Sequence, residues 1–162
     1  MDGEAIPKVS PKYFHSSLQS SLLRLIHAWC TGLGRIRLEW SVTLERNGVP
    51  WVPTPDLTYV SYNRLPKTWK RNEACPVPCD LAIEIISPSQ TLTEFESKAA
   101  DYLAAGVLRV WVMEPLDISV RVFFGVGKVT IYTDTMPIVD AMLPGLELTP
   151  QLIFAEAELI ED

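Results

Sequence analysis

The segment from Asp80 to Met113 constrains the fold more than any other part of the chain. Asp80-Leu81-Ala82-Ile83-Glu84-Ile85-Ile86 is a short, largely apolar run closed by Ser87-Pro88, and it reads as a buried strand. Thr91 and Glu94 form a capping-box pair, so a helix should open there and run to about Ala105, where Gly106 stops it. Val107 to Met113 is a second buried strand directly after that stop. Strand, helix and strand at this spacing make one parallel crossover unit, expected to be right-handed.

Other elements gather around this unit. Phe14, Leu18, Leu22, Leu25 and Trp29 recur at helical spacing after Ser10-Pro11, a capping hydroxyl followed by proline, and the helix should end before Gly32 and Gly34. From Arg35 to Glu45 the alternation is unbroken: Ile36, Leu38, Trp40, Val42 and Leu44 share one face, which predicts a half-buried strand. Asn47-Gly48 marks a tight hairpin, and a returning strand should run from about Trp51 to Val60, its first half made irregular by Pro53 and Pro55. Residues 61–79, rich in proline and basic side chains, read as a loop. Ile118–Phe124 and Lys128–Thr133 form a later hairpin, and Thr149-Pro150 opens a last short helix. The expected architecture is α/β (α+β): a mixed central sheet flanked by helices, with an added C-terminal hairpin and helix.

Length and charge bound what this fold can do. The 162 residues, 48% hydrophobic, suit a single domain over 1–162 with a substantial core. No apolar run reaches the ~18 residues a membrane-spanning helix needs. The opening Met1-Asp2-Gly3-Glu4 lacks the cationic lead of a secretory signal, so Cys30, Cys75 and Cys79 are expected to be reduced thiols in the cytoplasm. The formal charge of −6 argues against nucleic acid at first, because phosphate binding draws on Lys and Arg. However, every basic residue lies at or before Lys128, and seven acids follow it. Arg64, Lys67, Lys70 and Arg71 form a local basic cluster. The acidity belongs to the C-terminal end, and a nucleic-acid partner is permitted.

Glu84 is the anomaly of the sequence. An ionised carboxylate among β-branched neighbours costs several kcal/mol unless a cation, a hydrogen-bond network or a metal compensates it, or the strand opens to solvent there. Asp80 shares its face by the period of two. Asp56 begins the regular half of the returning strand, across from Glu39 if the Asn47-Gly48 turn sets the register; by itself it reads as an ordinary strand-start aspartate. Lys98 either makes a surface pair with Glu94 or runs its stem along the Phe95, Ala99, Tyr102 stripe towards Glu84. His15 should face inward, as a core histidine or a functional one. Cys75-Pro76-Val77-Pro78-Cys79 offers only two thiols, short of the four ligands of a structural zinc site.

At these residues the chain resembles the bacterial Uma-type family of restriction endonucleases, within the PD-(D/E)xK nuclease superfamily. The likeness runs through Pro55-Asp56-Leu57, the stretch Cys79 to Ser89, Lys98, Tyr102, Ala104-Ala105-Gly106-Val107, Trp111-Val112-Met113-Glu114-Pro115 and Leu143 to Leu148. Asp2-Gly3-Glu4, Ser10-Pro11 and His15 resemble the family's leading portion. The resemblance implies a restriction-endonuclease-like fold and a hydrolase acting on DNA, with Asp56 and Glu84 binding Mg²⁺ (or Mn²⁺). The superfamily's lysine usually stands two residues after the glutamate, where this chain has Ile86; Lys98 on the next helix matches the family's relocated lysine. His15 and Asp80 are candidates to support the ligands from behind. The family also implies self-association, for which the Val- and Phe-rich stretch Arg121 to Phe124 is a candidate homodimer surface.

Two departures stand out. Arg109-Val110 replaces a glutamate-tyrosine pair, and Glu114 replaces an aspartate. Relatives usually carry a further helix and strand before Asp2-Gly3-Glu4, which suggests a shortened member or a start inside the gene. The alternative to an active enzyme is a catalytically inactive domain of the same fold, used for binding or assembly.

Overall fold

A computed structural model describes residues 12–161. Helix α1 spans Tyr13–Cys30 and buries Leu18, Leu22, Ile26 and Cys30. The Ser10-Pro11 start lies outside the described residues, and Lys12 occupies the N-cap without a side-chain bond. Strands β1 (Gly34–Leu38), β2 (Leu44–Arg46), β3 (Val49–Trp51), β4 (Leu57–Ser61) and β5 (Leu81–Ile85) follow, then helix α2 (Leu92–Ala104). Strands β6 (Arg109–Glu114), β7 (Ser119–Gly125) and β8 (Lys128–Thr133) precede helix α3 (Pro150–Glu156). Six strands form the central sheet in the order β1-β4-β5-β6-β7-β8, while β2 and β3 form a small ribbon. Only β5 and β6 run parallel, joined by α2; the other neighbours in the sheet are antiparallel.

The sheet separates two apolar layers. Odd-numbered residues of β4 and β5, such as Leu57, Tyr59, Leu81, Ile83 and Ile85, pack with α1 and α3. Their even-numbered neighbours Val60 and Ala82 pack with Phe95, Ala99 and Tyr102 of α2. The caps act as the sequence indicates: Thr91 Oγ1 accepts from the Glu94 amide at 3.3 Å, and Thr149 Oγ1 accepts from the Leu152 amide at 3.0 Å. The C-terminal segment folds back onto α1. Ser21 Oγ donates to the Ile153 carbonyl and Trp29 Nε1 to the Pro144 carbonyl.

Three expectations need correction. The strand foreseen from Arg35 to Glu45 is split, because Glu39 takes a left-handed conformation (φ 45°). Between β1 and β2 the backbone pairs instead with Cys75, whose amide donates to the Ser41 carbonyl and whose carbonyl accepts from the Thr43 amide. The apolar stripe therefore changes layers: Ile36 joins the α1 core, while Val42 and Leu44 join the α2 core. Phe14 is not part of the inward stripe. It is 50% exposed, because the first turn of α1 overhangs the strand ends and lines a groove with Pro88, Leu92 and Pro115. The stretch Arg121–Phe124 is interior, covered by β8; Val122 and Phe123 are buried, Arg121 pairs with Glu114, and only Phe124 is exposed.

Candidate active site

Two strand registers together create the site. Leu38 opposes Leu57 and Leu44 opposes Trp51, and the Glu39 amide donates to the Asp56 carbonyl at 3.1 Å, so one register persists across the break. Asp56 thus lies across from Glu39, as the Asn47-Gly48 turn implies. On its other side β4 pairs with β5, Leu57 opposite Ile83. One step further Asp56 meets the row of Glu84, on the face that looks towards α2. Two acids 28 positions apart in the chain become neighbours through a single strand pairing.

Asp56 is held from two elements, β5 and α1. Its Oδ2 accepts from the Ile85 amide at 2.7 Å, and its Oδ1 lies 3.1 Å from His15 Nε2. Its carbonyl also accepts from Gln19 Nε2 at 3.1 Å. His15 and Gln19 are one helical turn apart on α1, so a single helix face grips both the carboxylate and the backbone of Asp56. The bond to Asp56 raises the His15 pKa, with partial burial opposing it. The sequence reading missed Gln19; the signal available was a polar pair at i, i+4 facing the same way as an inward histidine.

Glu84 is 4% exposed, which disposes of the idea that its strand end opens to solvent. The cation it needs comes from α2: Lys98 Nζ donates to Oε1 at 3.2 Å and stands 2.9 Å from Oε2. No Glu94–Lys98 pair forms among the described residues. Oε2 is buried and makes no hydrogen bond, so its contact with the ammonium is an ion pair alone. Burial pushes the Glu84 carboxyl up to about 7, against the opposing pull of Lys98, while the nearby Asp56 charge adds to the rise. Tyr102, four residues after Lys98, places its ring 5.7 Å from the ammonium. Burial drives its phenol pKa upward.

Asp80 stands apart from this group. It is four residues from Glu84 along β5, about 13 Å at ~3.3 Å per residue, and its Oδ1 accepts from the Ser61 amide at 2.6 Å. Its role is to close the far end of the β4–β5 pair. The Arg109-Val110 departure is equally remote: Arg109 opposes Leu81 and pairs with Asp140, whereas Glu84 opposes Val112.

The residues present fit a hard divalent cation. Mg²⁺ takes one or two carboxylates and fills its remaining positions with water and phosphate oxygens. Asp56 and Glu84 would supply such a pair, with Glu84 Oε2 ion-paired to Lys98 but making no hydrogen bond. A zinc cage does not fit. Among the described residues no group of three or more His, Cys, Asp or Glu is placed to hold a metal, and Cys75 and Cys79 are buried free thiols. No helix among the described residues is long and apolar enough to cross a membrane.

Comparison with known proteins bears on the family and the fold. No curated protein sequence matches the chain. A crystal structure of "a putative nuclease belonging to DUF820" from Anabaena variabilis superposes with a TM-score of 0.81 at 22% identity, covering 97% of this chain and 89% of that one. At that identity the likeness speaks for the fold. The Uma2 family, described as "Putative restriction endonuclease", matches residues 1–151, and the chain belongs to that family.

Proposed function

We propose that this chain is a Mg²⁺-dependent endonuclease hydrolysing phosphodiester bonds in DNA, with Asp56 and Glu84 as metal ligands and Lys98 as the catalytic cation. One observation carries the reading: carboxylates from two paired strands share an end of the sheet with an ammonium 2.9 Å from the buried glutamate. Membership of Uma2 supports a nucleic-acid substrate. When bound, Mg²⁺ or Mn²⁺ would polarise the phosphodiester and lower the pKa of its water. The chain's own groups do the positioning. Asp56 is fixed by the Ile85 amide and by His15, which leaves further lone pairs on both oxygens. Lys98 keeps the Glu84 site near neutrality and stands ready to orient a water or meet the charge that develops on a phosphoryl group.

Thermal melting with and without Mg²⁺ or Mn²⁺ tests the metal. The wild type should melt higher with the ion, by RT ln(1 + [L]/Kd), and Asp56→Ala should not; identical shifts in both would remove Asp56 from the site. Nicking of supercoiled plasmid in Mg²⁺ tests the chemistry, with loss of about 10²-fold or more expected in Lys98→Ala. A second reading has its own support, because Lys98 by itself compensates Glu84 and the pair can serve as a structural unit. Metal-induced stabilisation without nicking would favour that non-catalytic binding or assembly domain.

A further inference from the structure

A second cleft, of about 380 Å³, opens beside the candidate site between β1 and the loop residues 69–73. Arg35, Arg37, Lys70 and Arg71 line it, against only Glu39 and Glu73. This is a net positive pocket on a chain whose overall charge is −6. We propose that it seats the sugar-phosphate backbone of the DNA strand and leads it to Asp56. The choice of DNA as occupant rests on the nuclease reading above.

The cleft is built on a fixed floor. Trp40 and Trp69 meet with ring centroids 5.8 Å apart, and Trp40 Nε1 donates to the Glu73 carbonyl at 3.0 Å. Arg35 is buried, and it ties the start of the loop to β1 by donating to the Leu65 and Pro66 carbonyls at 3.0 and 2.9 Å. Its guanidinium also lies over the Tyr62 ring. One cation of the set is thus spent on holding the loop in place.

The remaining cations face solvent. Arg37 and Lys70 have no acidic partner within ion-pair reach among the described residues. Arg71 has only an exposed contact of 3.8 Å to Glu73, too weak to compete with a phosphate. Exposed cations facing one another across a cleft are what a polyanion needs to displace its counterions. The position matches the task. Arg37 opposes Thr58 on β4, two residues from Asp56 on the same face, and the next cleft residue on that face, Glu39, donates its amide to the Asp56 carbonyl. A backbone lying in this cleft ends beside Asp56, through the Glu39 contact.

Fluorescence anisotropy of a labelled DNA duplex, titrated with the full chain in EDTA over a range of salt, separates binding from catalysis. Wild type should bind with a salt-dependent affinity. Lys70→Ala/Arg71→Ala should bind at least about tenfold more weakly at 0.1 M salt, with a log–log salt slope reduced by roughly 2. Arg37→Gln should reduce the slope by roughly 1 and Lys128→Ala, on the opposite edge strand, should leave it unchanged. Melting temperatures equal to wild type exclude misfolding as the cause. Superimposable curves for wild type and the double variant, no binding by wild type, or an equal loss in Lys128→Ala would each overturn the cleft. Plasmid nicking by wild type together with unaltered binding by the double variant would overturn the cleft and leave the nuclease reading standing. Binding lost in the double variant, with no nicking by wild type in Mg²⁺, would do the reverse.

Discussion

Glu84 carries the tension in this molecule at the scale of single residues. In the unfolded chain its carboxyl has the ordinary value of 4.5, and in the folded chain about 7. Between those values the native state holds a proton that the unfolded state has released, so this residue makes stability fall as pH rises through the window and level off above it. Comparing urea-unfolding free energies of wild type and Glu84→Gln in EDTA from about pH 5 to about pH 8 isolates the effect. The difference should move in favour of Glu84→Gln by a few kcal/mol at most across that range. Lys98→Met removes the compensating cation. Because the lysine side chain is 36% exposed, we expect a cost near 1–2 kcal/mol at about pH 8, less than for a fully buried pair, and a smaller cost at about pH 5, where Glu84 keeps its proton. A cost independent of pH would show that packing of the lysine stem dominates.

Among the elements, β4 matters most: its pairing with β5 carries Asp56 to Glu84, and the β1–β4 pairing holds it from the other side. Gly34 marks the start of the β1–β4 pairing, opposite Ser61. A Cβ there would lie 2.5 Å from the Val60 carbonyl oxygen and 2.8 Å from the Ser61 Cα, contacts with backbone that cannot turn aside. Gly34→Ala should therefore destabilise by about 1–3 kcal/mol in urea unfolding; under the proposed metal site, displacing β4 should also blunt the rise in melting temperature on adding Mg²⁺. An alanine tolerated without loss would mean that the sheet edge relaxes freely. The break at Glu39 belongs to the same scale. It lets one alternating sequence feed two cores, and it puts the Arg37–Trp40 stretch beside the site.

At the scale of the whole molecule, the C-terminal segment completes the core. Ile153 and Phe154 of α3 are fully buried among α1 and the sheet, although the strands and helices that position Asp56, Glu84 and Lys98 all precede this segment. Phe154→Ala should cost about 3–5 kcal/mol in urea unfolding, a cavity penalty expected only if the extension is part of one cooperative unit. A small loss, or a separate early transition, would make the segment an appendage. Seven acids and no basic residue follow Lys128, so the chain's net negative charge is carried by this segment, while the candidate site and its adjoining cleft are built from residues before it.

The crossover unit, both side-chain caps, the hairpin register and the need of Glu84 for a compensating partner were legible in the sequence, because each follows from local periodicity, a turn motif or the cost of one charge in an apolar run. The tertiary structure alone decided which groups would answer that charge. Lys98 could have paired with Glu94 on its own helix; the packing of α2 over β5 sent it to Glu84 instead. His15 and Gln19 became a clamp on Asp56 only when α1 was laid across the sheet, and Asp80, on the same face as Glu84, was left at the other end of the strand. Periodicity fixes the face a side chain takes, but distance along that face and contact across elements depend on how helices dock, which no local pattern encodes.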